Sequence, residues 1–372
     1  MGTWNIMESS LNTVIVGGGP AGVATSYFLQ HNQITHLILE KERAFSEWYK
    51  RWDSFHMNTA NWMNSLPGST HEFACGASRD RLGTKADALN YFESHLATIN
   101  PPLHEFTEVT SIKQSRHGNW HMVTPDSTYV TENVVICTGT LREPKVPFVA
   151  AQLPRTISQL HSSEYRNPSQ IRSEHVLVVG SGNSGIQICE DLASSGRFDK
   201  ITLAVSGNQT IPLSIMGISI YPLLKWSHLL DLKHNSWLGN KLIQGNKSDP
   251  TTPPSPKQLA DTYGVDLVGK VIGHEEAFVQ CSDGRTVSTE ELSIVWCTGF
   301  QARYDFIDVH QKDSVFDIAG NPVHERGIVI AAPGLYFVSL RFQYSISSQS
   351  IYGMVKDAQY VAQHIATNRS RM

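Results

Sequence analysis

The stretch Thr13-Val14-Ile15-Val16-Gly17-Gly18-Gly19-Pro20-Ala21-Gly22 decides the fold of this chain. A β-branched apolar run leads into spaced glycines and then into residues that can continue as a helix, which is the context of a dinucleotide fingerprint. The stretch His175-Val176-Leu177-Val178-Val179-Gly180-Ser181-Gly182-Asn183-Ser184-Gly185 repeats that order. One chain is therefore predicted to bind two nucleotides, each with its pyrophosphate at a helix N-terminus.

The three glycines of each copy have separate predicted tasks. The first lets the strand turn sharply, the second lets backbone N–H groups approach the pyrophosphate, and the third lets helix and strand pack closely. Behind the first copy, the predicted strand His36–Leu39 ends in Glu40, at the separation where an acid accepts a ribose hydroxyl. The alternative interpretation is that both copies are only tight strand-to-helix turns.

Composition narrows the class of protein and of partner. A chain of 372 residues with 40% hydrophobic and 17% charged residues is ordinary for a soluble globular protein of two or three domains. The net charge of −4, without a Lys/Arg block, argues against nucleic acid and favours small-molecule ligands. No signal peptide and no bilayer-spanning apolar run is found, so the predicted location is the cytoplasm.

The potential metal ligands show no metal-binding pattern. The five cysteines form no Cys-x-x-Cys pair, and the sixteen histidines have no ligand spacing. Cys137, Cys189 and Cys297 lie in apolar surroundings and are predicted core residues. Neither a metal site nor a redox-active dithiol is predicted, and no Ser-His-Asp arrangement is recognisable.

Further elements follow from periodicity and turn signals. A helix is predicted at Asp87–Ile99 and an amphipathic C-terminal helix at Ser347–Ile365. Three short strands at 106–113, 120–124 and 133–137 are predicted to form a meander. The Pro-rich stretch 248–256 is typical of a stiff exposed loop.

A second repeat links the two halves of the chain. Val134-Val135-Ile136-Cys137-Thr138-Gly139 and Ser293-Ile294-Val295-Trp296-Cys297-Thr298-Gly299 are apolar strands that end in Cys-Thr-Gly. Each follows its own fingerprint by a similar distance. Such an ending lets the backbone turn beneath a bound nucleotide.

Together with His161-Ser162-Ser163-Glu164-Tyr165, these features resemble the flavin-containing monooxygenases, the class B flavoprotein monooxygenases. The resemblance runs from Thr13 to Ile365. The stretches 48–55 and 334–338 are most similar to the bacterial branch near the plant auxin-forming monooxygenases. The resemblance implies an α/β fold with two Rossmann-like dinucleotide-binding domains of the three-layer ββα type, with the NADPH domain inserted into the FAD domain. The implied boundaries are 1–170 and 298–372 for FAD and 171–297 for NAD(P)H.

The resemblance also implies which residues hold the cofactors. For FAD they are Gly17, Gly19, Pro20, Ala21, Gly22, Glu40, Trp48, Arg51, Trp52, Thr138 and Gly139. For NADPH, with NADH as the alternative, they are Gly180, Gly182, Asn183, Ser184, Gly185 and Ser206. His161, Thr298 and Gly299 complete the implied cofactor-binding set.

The sequence departs from the family pattern at two places. In the signature Phe-x-Gly-x-x-x-His with a later aromatic residue, His161 and Tyr165 match but Arg155 and Ile157 replace the Phe and Gly. Tyr165 favours heteroatom-oxygenating and auxin-forming branches over Baeyer–Villiger enzymes. After the second-site strand, Ser206 stands where the family carries an Arg for the 2′-phosphate, so NADPH is implied by the family alone. Ser206 and Asn208 can still hydrogen-bond a phosphate, and Lys200 or Arg197 can supply charge from nearby. The alternative interpretation of His161 is a linker histidine that holds two domains in register.

The loop after the first βαβ unit contains a candidate catalytic amide. By the resemblance, an Asn lies above the flavin nine residues before a Pro, and Asn58 and Pro67 fit that spacing. An amide can donate to the distal oxygen of a flavin hydroperoxide and accept from reduced flavin without acting as an acid. The alternative is that Asn58 only stabilises a turn.

Three classes of function remain open. The favoured one is an FAD-dependent, NADPH-consuming monooxygenase that transfers one oxygen from O2, via a C4a-hydroperoxyflavin, to a nitrogen, sulfur or carbonyl carbon of a small metabolite. The others are an FAD-dependent oxidase or dehydrogenase that takes hydride from substrate, and a non-catalytic flavin-binding protein. The oligomeric state is open, with a homodimer as one candidate.

Two features bear on the substrate. Arg341 can meet an anionic group such as a carboxylate, because its planar fork matches one, although a surface role is equally compatible. The apolar stretch 211–224 is too short to span a membrane and is interpreted as a buried helix or hairpin. The sharper hypothesis is that it lines a substrate entrance or touches a membrane surface.

Overall fold

A computed structural model describes residues 11–69, 73, 80–140, 143–207, 210–212, 214–215, 218–245 and 251–369. The strands are β1 Leu11–Val16, β2 His36–Leu39, β3 His56–Ala60, β4 Leu82–Thr84, β5 Leu103–His104, β6 Ser111–Gln114, β7 Trp120–Val123, β8 Thr128–Ile136, β9 Glu143–Pro144, β10 Ser158–His161, β11 His175–Val179, β12 Lys200–Ala204, β13 Ser214–Ile215, β14 Ile218–Ser219, β15 Asp266–Val268, β16 Val271–Glu275, β17 Phe278–Cys281, β18 Thr286–Ser288, β19 Leu292–Trp296, β20 Phe300–Gln301, β21 Ile307–Asp308 and β22 Leu335–Phe337. The α-helices are α1 Pro20–His31, α2 Ser46–Tyr49, α3 Lys85–Ile99, α4 Val149–Gln152, α5 Asn183–Ser194, α6 Tyr221–Trp226, α7 Trp237–Gly245, α8 Pro256–Tyr263, α9 Lys312–Val315 and α10 Ile351–Arg369.

The first sheet is built around the strand of the first fingerprint. Strands β5, β2, β1, β8 and β22 are parallel neighbours in that order. The first half of β8 also pairs antiparallel with β7, and β7 pairs antiparallel with β6. The predicted meander is present, but its third strand was placed too late in the sequence: residues 128–131 pair with β7, whereas the predicted 133–137 covers the second half of β8, which pairs parallel with β1.

Both faces of this sheet are buried, and successive side chains of β1 enter different cores. Val14 and Val16 pack with the meander residues Ile112 and Trp120. Ile15 packs with the helices, where α1 lies against α10. Side chains alternate along a strand, so a continuous apolar run indicates a sheet covered on both faces. This layer order is the predicted three-layer arrangement.

The second sheet repeats the plan around the second fingerprint. It consists of the parallel strands β10, β19, β11, β12 and β15 in that order. Along β11, Val176 and Val178 pack toward α5, whereas Leu177 and Val179 pack toward the antiparallel strands β16, β17 and β18. The prediction of two Rossmann-like units in one α/β chain is confirmed.

The chain crosses between the two sheets twice, and the crossing segments pair with each other. Strand β9 on the outward path is antiparallel to β20 on the return path. The second unit is thus inserted into the first, as predicted. Strand β10 is an edge strand of the second sheet although it lies within the predicted range 1–170.

The two helices predicted from periodicity are present with small shifts of their ends. Helix α3 begins two residues before Asp87, because the Thr84 hydroxyl and the Asp87 carboxylate form a capping box. The C-terminal helix begins at Ile351 and runs to Arg369. Of the Pro-rich stretch, residues 248–250 lie outside the described residues. Among the helices of the described chain, none is long and apolar enough to cross a membrane.

Candidate dinucleotide sites

The two fingerprint turns have the same geometry. Gly17 and Gly180 have φ of +111° and +113°, a region that side chains disfavour. A Cβ atom there would lie 2.7 Å from the Cys137 carbonyl oxygen in the first copy and 2.4 Å from that of Cys297 in the second. The strands that end in Cys-Thr-Gly therefore run directly beside the turns.

The other glycines of each copy divide into one crowded and one open position. A Cβ on Gly22 would lie 1.9 Å from the Gly17 carbonyl oxygen, and one on Gly185 would lie 1.8 Å from that of Gly180. In contrast, a Cβ on Gly19 or Gly182 would meet nothing within 4 Å. The open second glycine is the position at which a pyrophosphate approaches the backbone.

The helices that follow begin without a side-chain cap. Gly19 is the N-cap of α1 and Gly182 is the N-cap of α5, so neither supplies a capping oxygen to the first free N–H groups. Pro20 and Ala21 open α1, and Asn183 and Ser184 open α5. The first turn of a helix and its dipole together suit an anion, and both positions have this geometry.

Glu40 is buried beside the first turn. Its carboxylate accepts the Gly18 N–H at 2.6 Å and the Glu42 N–H at 3.0 Å, one on each oxygen. Each carboxylate oxygen can accept a second hydrogen bond. The group is therefore fixed in place and can still accept ribose hydroxyls, as the fingerprint predicts.

Two of the predicted FAD contacts have a buried polar atom without a hydrogen-bond partner among the described residues. Within the described chain, the hydroxyl oxygen of Thr138 and the indole nitrogen of Trp52 are buried without a hydrogen-bond partner. Gly139, with φ of +68°, turns the chain in open space directly after Thr138. Buried donors and acceptors are normally paired, so unpaired ones indicate a missing ligand or water. Trp48 is half-buried and packs edge-to-face on Phe55.

A cavity of about 250 Å³ lies between the first unit and the two crossing segments. Its lining is rich in cationic side chains. Arg51 is a predicted cofactor contact, whereas Lys41 and Lys50 were not predicted from the sequence as residues of a site. The only signal for Lys41 was its place directly after Glu40. The lining residues are Lys41, Glu47, Lys50, Arg51, Pro144, Ser162, Ser163 and Phe300.

His161 lies where the crossing segments meet. The Ser163 N–H donates to its Nδ1 atom at 3.2 Å, so the proton resides on Nε2, which donates to the Gly299 carbonyl at 3.0 Å. Burial lowers the pKa of His161, and the Gly299 carbonyl opposes this shift. These contacts match the linker interpretation. Thr298 donates to the Lys145 carbonyl across the same junction.

A groove lies beyond the end of β12 in the second unit. The groove has a volume of about 620 Å³ and includes Val205, directly before Ser206. Its cationic side chains are Lys257 and Arg285, and Arg285 is paired with Asp283 at 2.8 Å. Asn208, another candidate phosphate contact, lies outside the described residues. The hydroxyl of Ser181 ties the turn to the Gly207 carbonyl at 2.9 Å.

Asn58 is exposed in β3, and its carbonyl oxygen accepts a hydrogen bond from Gln187 at 2.9 Å. Gln187 belongs to α5 of the second unit, so this contact joins the two units. The role of Gln187 was not predicted from the sequence, because Gln187 and Asn58 are 129 positions apart. Asn64, a neighbour in the loop, is buried and caps local carbonyls, which is the turn role.

Tyr165 packs against helix α5. Its ring is fully buried, and its hydroxyl donates to the Asp191 carboxylate at 2.7 Å. Burial and the carboxylate together raise the pKa of Tyr165. The aromatic residue that follows His161 is therefore a packing anchor for the second fingerprint helix.

Removal of the Tyr165 hydroxyl is expected to destabilise the folded protein. Tyr165→Phe is expected to lower the free energy of unfolding by about 1–2 kcal/mol, because Asp191 loses its donor. The matched control is Tyr263→Phe at an exposed ring, which should change it by less than about 0.5 kcal/mol. Denaturant titration of both variants tests this. Equal effects of the two substitutions would contradict the anchoring role.

The described cysteines are buried thiols. Burial raises the pKa of Cys137 and Cys189 to about 12 and also raises that of Cys281 and Cys297. Thiol–disulfide exchange requires a thiolate. The predicted core role of Cys137, Cys189 and Cys297 agrees with their burial. Cys75 lies outside the described residues.

Arg341 and the apolar stretch 211–224 are the two features that the sequence linked to the substrate. The first lies at the surface, and the second is only partly described. Arg341 is exposed, with its guanidinium 4.9 Å from the Phe342 ring centroid. In the apolar stretch, Ile211 and Leu223 are exposed, whereas Tyr221 is buried. Residues 213, 216 and 217 lie outside the described residues.

Each of the two glycine turns follows a parallel strand and opens a helix, which defines the class as an oxidoreductase with two dinucleotide-binding sites. The chain belongs to the pyridine nucleotide-disulphide oxidoreductase family, whose sequence signature matches residues 14–223. It is 32% identical to an uncharacterized CzcO-like oxidoreductase of Geobacillus kaustophilus, over 96% of this chain and 99% of the relative. It is also 32% identical to the probable indole-3-pyruvate monooxygenase YUCCA10 of Arabidopsis thaliana, over 95% of this chain and 96% of the relative.

The fold is similar to that of solved flavin enzymes. The flavin-containing monooxygenase of Stenotrophomonas maltophilia superposes with a TM-score of 0.75 over 97% of this chain and 99% of that chain, at 20% identity. The family and its monooxygenase relative confirm the prediction of an oxidoreductase of the flavin monooxygenase type. The structure of OTEMO, with a TM-score of 0.66 over 98% of this chain and 87% of that chain at 14% identity, contains FAD and NADP.

Proposed function

We propose that this chain is an FAD-dependent, NADPH-consuming monooxygenase that transfers one oxygen atom from O2 to a nitrogen, sulfur or carbonyl carbon of a small metabolite. The observation that carries the proposal is the pair of glycine cradles of equal geometry, joined by a contact from the second fingerprint helix to the loop of Asn58. Two dinucleotides held this way can exchange a hydride.

The first cradle would hold FAD and the second the nicotinamide dinucleotide. For FAD we propose Gly17, Gly19, Pro20, Ala21, Gly22, Glu40, Trp48, Arg51, Trp52, Thr138 and Gly139. For NADPH we propose Gly180, Gly182, Asn183, Ser184, Gly185 and Ser206, with His161, Thr298 and Gly299 at the junction. The corresponding domains are 1–170 with 298–372, and 171–297, except that strand β10 of the first range belongs to the sheet of the second unit.

Bound FAD supplies the redox chemistry and the activation of O2. The residues of the chain would bind, orient and exclude water. Trp52 and Thr138 present unpaired polar atoms from a buried wall. Asn58 presents an uncharged amide, which can hydrogen-bond a reacting oxygen without giving up a proton. A dry site prevents the loss of oxidising equivalents as hydrogen peroxide.

A disulfide reductase is less well supported, despite the name of the family. That chemistry needs a thiolate pair near the flavin. The four described cysteines have raised pKa values and are buried. We therefore assign them to the core.

One observation keeps an oxidase or dehydrogenase as a second candidate. Ser206 follows the strand where an Arg would bind the 2′-phosphate of NADPH. Weak coenzyme binding would leave hydride transfer from substrate as the route to reduced FAD. NADH in place of NADPH is the milder consequence of the same residue.

Anaerobic mixing of the purified flavoprotein with NADPH or NADH tests the proposal. We expect bleaching of the flavin absorbance, followed under ¹⁸O2 by incorporation of one ¹⁸O atom into an amine, thioether or keto acid. Flavin that resists both coenzymes but is bleached by a substrate alone would favour the oxidase. Arg341→Ala then tests recognition of an anionic substrate, through a rise in KM for carboxylate substrates only.

A further inference from the structure

A glutamine of the second fingerprint helix binds strand β3 of the first unit, in the segment where the sequence predicted a loop. Gln187 lies two residues after Gly185 in α5, and its side chain is only 4% exposed. Its amide nitrogen donates to the His56 carbonyl at 3.1 Å and to the Asn58 side-chain carbonyl at 2.9 Å. Its amide oxygen accepts the His56 backbone N–H at 3.2 Å. Both the amide nitrogen and the amide oxygen of Gln187 therefore form hydrogen bonds with the first unit.

The orientation of both amides follows from chemistry. A backbone N–H can only donate and a backbone carbonyl can only accept, so His56 determines which end of Gln187 is oxygen and which is nitrogen. The nitrogen faces Asn58, and Asn58 must therefore turn its carbonyl oxygen toward Gln187. The Nδ1 atom of His56 lies 3.1 Å from the Met57 carbonyl and 3.2 Å from the Gln187 amide nitrogen. Because a carbonyl can only accept, the tautomer that donates from Nδ1 to Met57 leaves both Gln187 hydrogens for the two oxygen acceptors.

This arrangement decides which half of the Asn58 amide is available to a ligand. Its oxygen is engaged by Gln187, and no described residue is hydrogen-bonded to its NH2 group. Asn58 itself is exposed. We propose that Gln187 is a positioning residue: it fixes Asn58 as a hydrogen-bond donor toward the flavin site and ties that orientation to the helix that binds the nicotinamide dinucleotide. This inference rests on the proposed function.

Glutamine can hold Asn58 in this orientation, whereas other side chains of similar size cannot. Glutamate has the same length but cannot donate to the His56 and Asn58 oxygens. Methionine fills a similar volume but makes no comparable hydrogen bond. Gln187→Met therefore removes the tether and largely keeps the packing.

The matched control is another glutamine of the second unit. Gln159 accepts from the Trp296 indole N–H at 2.9 Å and donates to the Ala150 carbonyl at 3.1 Å, and neither contact reaches the first unit. Gln159→Met thus removes a comparable pair of side-chain bonds away from Asn58.

The first measurement is hydrogen–deuterium exchange of the purified flavoprotein. In Gln187→Met, exchange in the peptide that contains His56 should become about tenfold faster, because its N–H loses the Gln187 acceptor. In Gln159→Met it should stay at the wild-type rate. Unchanged exchange in Gln187→Met would overturn the tether, whatever reaction the enzyme catalyses.

The second measurement is the fraction of oxidised NADPH that appears as hydrogen peroxide. Gln187→Met and Asn58→Ala should each raise this fraction, and the double variant should match Asn58→Ala, because Gln187 acts through Asn58. Independent, additive increases would overturn the positioning role. A wild-type protein that oxidises no NADPH would refute the proposed function instead, and the exchange experiment would still report on the tether.

Discussion

Gly182→Ala is expected to abolish high-affinity coenzyme binding while the folded flavoprotein persists. Gly182 has extended backbone angles that alanine adopts readily, and a Cβ there meets no protein atom within 4 Å. The added methyl group would instead occupy the space through which a pyrophosphate reaches the N-terminus of α5. We expect the KM for NADPH to rise at least about tenfold, which corresponds to ~1.4 kcal/mol.

Gly19→Ala is the matched experiment at the other site. Its backbone angles and open surroundings equal those of Gly182, so the same methyl group should now cost flavin and spare the coenzyme. The flavin content of the purified protein and coenzyme titration separate the two outcomes. Loss of flavin from Gly182→Ala, or an unchanged KM, would contradict the assignment of the second cradle.

Much of this arrangement was predictable because it is local in sequence. The turn at Gly17, the crowded position of Gly22 and the acid at Glu40 follow from a short stretch with fixed spacing. Helix α3 follows from the helical spacing of its apolar residues with Asp87 near its start, although the Thr84 cap that begins it earlier was not predicted. Two meander strands follow from their turn signals, whereas the third was placed too late in the sequence.

Other features depend on contacts between distant residues, and a single sequence does not encode them visibly. Gln187 lies directly after a predicted motif, but its partner Asn58 is 129 positions away. The tautomer of His161 depends on the Gly299 carbonyl, which belongs to the opposite crossing segment. Lys41 and Lys50 are ordinary surface residues until the fold brings them to one cavity.

Arg326→Met is expected to cause the largest loss of stability in the first unit. The guanidinium lies 3.8 Å and 4.2 Å from the ring centroids of Tyr344 and Tyr360, and its Nε atom is 3.5 Å from the Asp357 carboxylate. The Asp357 side chain is only 2% exposed. Asp357 belongs to α10, which packs on the fingerprint helix α1.

The cost of Arg326→Met arises from the carboxylate that remains. Methionine retains much of the contact with the two rings, but Asp357 loses its buried cation, so unfolding should become easier by about 3 kcal/mol at neutral pH. Arg303→Met at the exposed pair with Glu143 should cost less than about 1 kcal/mol. Adding Asp357→Asn to Arg326→Met should restore much of the loss, because the uncompensated charge is gone. Denaturant titrations of all four proteins provide the comparison.

The pH dependence of the free energy of unfolding tests independently whether the buried charge of Asp357 causes the loss of stability. Burial raises the pKa of Asp357 in the folded protein, and Arg326 partly opposes that shift. The folded state therefore binds the proton more tightly than the unfolded state, and the stability contributed by protonation is lost as pH rises through the folded pKa. Without Arg326 this pKa rises further, so the deficit of Arg326→Met should be small in mild acid and grow toward neutral pH. A deficit that is constant with pH, or that grows in acid, would assign the loss to packing of the two tyrosines rather than to the buried charge.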